Sequence, residues 1–400
     1  VWTLVAANLL AVAAVTWLTY SNRPIEAPPL RFLPVAFKAL PGWSANDPHD
    51  ALEAFRRSCA VIAKRAPSEP MGWAGYAGTV ALWLAPCKAL PSSAGDARAF
   101  FERWFVPVSV DRPAHFTGYY EPELSGSRLP ALRYRVPIYG RPKDLVTADL
   151  GSFRHALEGE HIAGRIEGTK LVPYATRGDI DAHGLPTAPV LLYTDDPVSA
   201  FFLQIQGSGL VKLTSGETVR LAYAGKNGRP YTPIGRVLIA QGALARKDVS
   251  LQTIRAWLNA HPSAAQRVME ADQSFVFFEI APLGDPTLGS PGTEGAPLTP
   301  GGSLAVDERF HPFGAPIYVA TTVPDPNPAK PDQSFQRLLI AQDTGGAIKG
   351  PARGDIFFGA GAYAEAIAGR LNAHGEFFVL VPKAAAAALG AGKAFPEAPQ

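Results

Sequence analysis

Ala341-Gln342-Asp343-Thr344-Gly345-Gly346-Ala347-Ile348-Lys349-Gly350, followed by Arg353-Gly354-Asp355-Ile356-Phe357-Phe358, places two acids on either side of a glycine-rich turn. The run before it, Leu338-Leu339-Ile340-Ala341, is apolar over a strand's length and predicts a buried strand that delivers Asp343. A second apolar run opens at Asp355. Gly345, Gly346, Gly350 and Gly354 leave little bulk between the acids, so a ligand can lie close to the backbone. Carboxylates so placed suit acid/base chemistry, although aspartates that only order a turn give the same pattern. Upstream, Gly302-Ser303-Leu304-Ala305-Val306-Asp307, then Phe310-His311-Pro312-Phe313-Gly314, puts a third acid at a strand-to-turn junction.

Outward from this block, strands are expected at Ile317–Ala320, Phe275–Phe278 and Phe377–Val381, with a helix over Ala362–Asn372. Leu283–Gly302 is rich in Gly, Pro, Ser and Thr and reads as a surface loop or domain junction. Between Phe116 and Tyr223, short β-type runs alternate with turns: Phe116–Tyr120, Val136–Tyr139, Val190–Tyr193, Phe201–Ile205 and Val219–Ala222. That spacing predicts a barrel or sandwich. Helices are predicted over Asp47–Arg65, Asp96–Phe105, Leu251–Asn259 and from Pro262 to Met269.

The 400 residues are 47% apolar, enough for two or three domains, and carry 38 Gly and 38 Pro, which favours turns and short strands. A net charge of +2 supplies no basic field for nucleic acid. The two cysteines, Cys59 and Cys87, and eight scattered histidines form no metal-binding pattern, and no cofactor is expected. In an oxidising compartment the two thiols have a disulfide open to them; buried free thiols are the alternative. Val1–Asn22 is uncharged and mostly apolar, and is read as a signal peptide or membrane anchor. The proline-bearing residues 23–35 read as a tether, and residues 384–400 as a flexible tail. No Cys lies near the apolar run to carry a lipid.

Gly359-Ala360-Gly361-Ala362-Tyr363-Ala364 matches the dinucleotide fingerprint G-x-G-x-x-A, but Glu376 precedes its strand instead of ending it, and the chain is too short beyond it for a second βαβ unit. Gly225-Lys226-Asn227-Gly228 lacks the partners of a phosphate loop. Three other segments suit sugar recognition. Phe116-Thr117-Gly118-Tyr119-Tyr120-Glu121-Pro122-Glu123 groups a hydroxyl, two phenols and two acids around one glycine. Gln204-Ile205-Gln206-Gly207-Ser208-Gly209 puts two amides on one face of an expected strand. Tyr223-Ala224-Gly225-Lys226-Asn227-Gly228-Arg229-Pro230-Tyr231 is a polar loop with aromatic ends.

With these segments in this order, and with Ser274-Phe275-Val276-Phe277-Phe278 and the three-aspartate block, the chain resembles the membrane-bound lytic murein transglycosylase A family from about Phe116 to Lys383. The resemblance implies a mainly β fold with flanking helices (α+β). A double-psi β-barrel domain, 36–121 plus 286–383, would hold an inserted second small β-barrel domain, 122–285, with a cleft between them. It implies cleavage of the β-1,4 bond between N-acetylmuramic acid and N-acetylglucosamine of peptidoglycan glycan strands, leaving a 1,6-anhydromuramyl end. Asp355 matches the family's catalytic aspartate, acting as general acid and then base. Asp343 and Asp307 match the supporting acids, and Thr117 matches a glycan-contacting threonine. Tyr119, Tyr120, Gln204, Gln206, Ser208, Lys226 and Lys349 are further expected substrate contacts. The setting implied is the periplasm of a Gram-negative bacterium, for a monomer compatible with wall-synthesis or division complexes. A β-1,4-glycan hydrolase with Asp343 as base, and a non-catalytic wall-binding module, are the competing readings.

Overall fold

The computed structural model describes residues 30–72, 75–91, 96–154, 157, 160–387 and 394–395. The expected signal or anchor over 1–22 lies outside them. Among the described residues no helix is long and apolar enough to cross a membrane.

Six strands close into a barrel in the order Pro316–Val323, Gln333–Asp343, Ser303–Val306, Arg353–Ala360, Ala114–Glu121 and Asn372–Pro382, the last pairing back onto the first. Two pairings are parallel: Ser303–Val306 with Gln333–Asp343, and Arg353–Ala360 with Ala114–Glu121. Alternation sets the faces. Gly354 and Ile356 turn inward with Phe116, Leu304 and Ile340, which leaves Arg353 and Asp355 on the opposite face. Phe105–Val110 and Leu30–Pro34 extend the sheet beyond Asn372–Pro382.

Helix His49–Ile62 packs on this barrel because Ala51, Leu52, Phe55, Cys59 and Ile62 recur at helical spacing and are buried, with Asp50 in the first turn. Phe55 sits among Phe100, Phe101 and Phe105 at ring distances of 5.6–6.0 Å. Cys59 is disulfide-bonded to Cys87, which joins this helix to helix Val80–Lys88.

The chain leaves the barrel at Glu121, and after Pro122 the strand Glu123–Ser127 already belongs to a second sheet. That sheet runs Val276–Ala281, Thr218–Lys226, Gly209–Leu213, Glu123–Ser127, Val190–Thr194 and Val136–Tyr139, and Gly140 bridges Phe278 across its ends. A three-stranded sheet, Val146–Asp149, His161–Glu167 and Lys170–Pro173, lies in the same part of the chain. The crossing is a buried polar knot. Glu121 Oε1 accepts from the Ser290 amide (2.9 Å) and hydroxyl (2.5 Å). Arg220 lies 3.6 Å from Glu121 and donates to the carbonyls of Leu283 and Leu288 at 2.9 and 2.7 Å.

One expected strand is a helix. Phe201–Ile205 falls inside Pro197–Gln206. Asp196 caps it by accepting from the Val198 and Ser199 amides (3.0 and 3.1 Å), Pro197 opens it, and Gly207 at φ 83 ends it. An apolar run of five residues has no decisive period, and these flanking signals settle it as a helix. Helices Val80–Lys88, Arg177–His183 and Ile234–Ala240, absent from the sequence reading, are also present. The helix expected over Ala362–Asn372 ends at Ala368, since Asn372 already opens a barrel strand.

Candidate active site

Strand Ser303–Val306 lies between the two strands that carry the acids. Ala305 is the register partner of Asp343 on one side and of Asp355 on the other. On the far side of Asp355, Thr117 is its partner in the parallel pair. A residue and its cross-strand partner share a face, so Thr117 and Asp355 meet: the Thr117 hydroxyl donates to Asp355 Oδ1 at 2.5 Å. Arg353, two residues before Asp355 on the same face, donates from Nη2 to Thr117 Oγ1 at 2.6 Å. Tyr119 lies two residues beyond Thr117 and donates from its phenol to Asp343 Oδ2 at 3.1 Å. The other oxygen of Asp343 accepts from the Thr293 amide and hydroxyl at 2.9 and 2.8 Å.

Burial pushes the Asp355 carboxyl above its ordinary range. The Arg353 charge and the Thr117 hydrogen bond oppose that rise, and the negative charge of Asp343 adds to it. Asp343 is likewise raised by burial, against the bonds from Thr293, Thr344 and Tyr119. Asp307 goes the other way. Burial would raise it, but the Arg309 guanidinium and the Gly350 amide hold it below the usual carboxylate range. Arg309 donates to both of its oxygens, at 3.0 and 2.9 Å, and the Gly350 amide to Oδ2 at 2.7 Å. Asp307 is therefore a neutralised anchor for the end of the glycine-rich turn, while Asp343 is the acid whose charge Asp355 feels. His311, buried and held neutral, fixes the same turn through Nε2 and the Pro351 carbonyl at 2.6 Å.

The second sheet also contributes. Lys226, at the end of Thr218–Lys226, brings its Nζ to 3.9 Å from where a Cβ on Gly346 would stand. Burial and the charge of Lys349 lower its pKa, with Glu308 opposing. The Tyr231 phenol, pushed up to about 12 by burial and by Asp272 and Asp355, is near enough to Asp355 to feel its charge. Asp272 holds that segment by accepting from the Thr232 amide at 3.0 Å. Among the described residues no group of three or more His, Cys, Asp or Glu is placed to hold a metal ion.

Residues 115–279 match the MltA specific insert domain family and residues 302–381 the 3D domain family. A crystal structure of a membrane-bound lytic murein transglycosylase from Agrobacterium tumefaciens is 32% identical to this chain, with a TM-score of 0.78, over 90% of this chain and 99% of that one. The chain belongs to the membrane-bound lytic murein transglycosylase A family. MltA from Neisseria gonorrhoeae is also similar, at 34% identity and a TM-score of 0.70 over 90% of this chain and 94% of that one. The membrane-bound lytic murein transglycosylase A of Vibrio cholerae is 32% identical over 269 residues, 66% of this chain; the match spans 64% of that relative's length, just under two thirds. All three aspartates fall in the 3D-domain match, and Thr117, Tyr119 and Lys226 in the insert-domain match.

Of the other expected contact residues of this MltA-family chain, Tyr120, Gln204, Gln206 and Ser208 are taken up in packing, main-chain bonds or a turn, while the charge of Lys349 helps lower the Asp307 pKa. Tyr120 is 1% exposed and packs on Ala364 and Ala368. Gln204 and Gln206 do not alternate along a strand. Their side-chain carbonyls accept from the main-chain amides of Val276 (3.3 Å) and Tyr120 (2.9 Å), tying the helix to both sheets. Ser208 is buried in the turn that follows, and Lys349 is exposed on the glycine-rich turn. Arg353, Thr293, Arg309 and Tyr231 were not singled out as site residues. Only Tyr231 carried a signal, as the aromatic end of a polar loop.

Proposed function

We propose that this chain is a peptidoglycan lytic transglycosylase that cuts the β-1,4 bond between N-acetylmuramic acid and N-acetylglucosamine and closes a 1,6-anhydro ring. The observation that carries the reading is the pairing of Asp343 and Asp355 across Ala305. It sets one half-buried carboxyl, raised by desolvation and by its neighbour's charge, at the surface of a family-matched barrel. A carboxyl kept protonated by burial can serve as a general acid. Asp355 gives its proton to the bridging oxygen as the C1–O4 bond breaks. The resulting carboxylate then takes the C6 hydroxyl proton as that oxygen bonds to C1. One acid suffices because no water has to be activated, unlike in a two-carboxylate hydrolase.

Asp343 supplies negative charge and Asp307 orders the turn. Lys226, at the end of a second-sheet strand, and Tyr231, in the loop that follows it, approach the glycan from that side. We read residues 36–121 with 286–383 as the catalytic barrel and 122–285 as its insertion. The chain leaves the barrel sheet at Pro122, and its second-sheet strands end at Ala281. Export to the periplasm, with attachment to a membrane as in the relatives' names, fits this substrate.

The test is digestion of purified sacculi by wild type and Asp355→Asn. Wild type should release fragments one water lighter than hydrolysed ends, and the variant none, with unchanged circular dichroism. Reducing ends only, or a fully active variant, would refute the reading.

A further inference from the structure

We propose that Arg353 is a positioning residue for the acid: it commits the Thr117 hydroxyl to Asp355 Oδ1, so that the transferable proton resides on Oδ2. The inference rests on Asp355 acting as the acid, as proposed above. The geometry is a chain of two short bonds, Arg353 Nη2 to Thr117 Oγ1 at 2.6 Å and Thr117 Oγ1 to Asp355 Oδ1 at 2.5 Å. Guanidinium only donates, so Thr117 Oγ1 must accept from it. An oxygen that accepts from a cation becomes a stronger donor and a weaker acceptor, which directs the single hydroxyl proton toward the carboxyl. Oδ1 is then occupied as an acceptor, and among the described residues no hydrogen bond reaches Oδ2. Arg353 is itself held by the carbonyls of Gly354 (2.5 Å) and His115 (3.4 Å), which keep the guanidinium in place. Thr117 therefore has no proton to offer a sugar and presents it with one lone pair at most.

The charged and titratable groups around Asp355 are Arg353 on its own strand, Asp343 across Ala305, and the phenols of Tyr119 and Tyr231. Both phenols are pushed up and stay neutral through the working range, so Arg353 and Asp343 set the alkaline limb of the rate profile.

The experiment measures kcat and KM against pH on purified glycan strands for Arg353→Met, Arg353→Lys, Thr117→Val, Thr117→Ser, the Arg353→Met/Thr117→Val pair and Asp355→Asn. Arg353→Met should move the alkaline limb up by roughly 1 to 3 pH units and lower kcat by about 10- to 100-fold, with KM little changed. Thr117→Val, nearly isosteric, should do the same in direction, and the double variant should be no slower than the slower single one. Arg353→Lys should restore the limb without restoring kcat, and Thr117→Ser should retain both.

An unmoved limb in Arg353→Met, full recovery by lysine, multiplying effects in the double variant, or a rise confined to KM would each overturn the relay. With Asp355→Asn inactive, those results remove the relay and leave the transglycosylase reading standing. An active Asp355→Asn removes both.

Discussion

Glu294 offers a stability test whose sign depends on pH. Its main-chain amide donates to the carbonyl of Gln342, the residue before Asp343, at 3.0 Å. Its carboxyl Oε2 accepts from Ser58 at 2.6 Å, and its Oε1 is buried with no hydrogen bond among the described residues. Burial pushes this carboxyl from the ordinary 4.5 up to about 7, against bonds from Ser58 and Gln342 and the charge of Arg65. A group raised in the folded state binds its proton more tightly there than in the unfolded chain, so stability falls as pH rises between the two values. Below pH 4.5 both states are protonated and the group is neutral in its effect; above pH 7 the whole cost is present. A rise from 4.5 to about 7 corresponds to about 3 kcal/mol. Glu294→Gln removes the ionisation and keeps an acceptor for Ser58. Urea unfolding should therefore find the variant more stable by about 3 kcal/mol at about pH 8.5 and nearly equal to wild type at about pH 4.5. A difference of the same size at both pH values, or a less stable variant at the higher one, would refute the reasoning.

Three further outcomes follow from the packing. Replacing Cys59 and Cys87 by Ser opens a loop closed over a separation of 28 residues, and should cost about 3 to 4 kcal/mol in urea unfolding under non-reducing conditions. Glu121→Ala leaves the buried Arg220 without its counter-charge, and should cost roughly 3 to 5 kcal/mol at neutral pH, read by the same unfolding assay. Gly228 has φ 74, and a Cβ there would stand 2.5 Å from the Ala163 carbonyl oxygen. Gly228→Ala should therefore lower stability by about 1 to 3 kcal/mol and weaken glycan binding as the Tyr231 segment shifts, measured by unfolding and by KM together.

The sequence alone was enough to place Asp343 and Asp355 at strand ends, because local alternation and glycine spacing are properties of neighbouring residues. It also showed the helix at Asp47–Arg65, seen as His49–Ile62, and the family, through the order of several separated segments. The apolar run Phe201–Ile205 was ambiguous because five residues are too few to distinguish a period of 2 from one of 3.6. What only the tertiary structure decided was pairing. Thr117 and Asp355 lie 238 positions apart and meet because two barrel strands run parallel in one register. That same register turns Arg353 toward Thr117. The bond between Arg309 and Asp307 holds one of three similar aspartates below the usual carboxylate range, while burial and the charge of Asp343 raise another, Asp355. Residue types and their spacing determined which chemistry the chain could perform. Charge and burial depend on neighbours brought together only by folding, so the direction in which each acid's pKa moves was decided there.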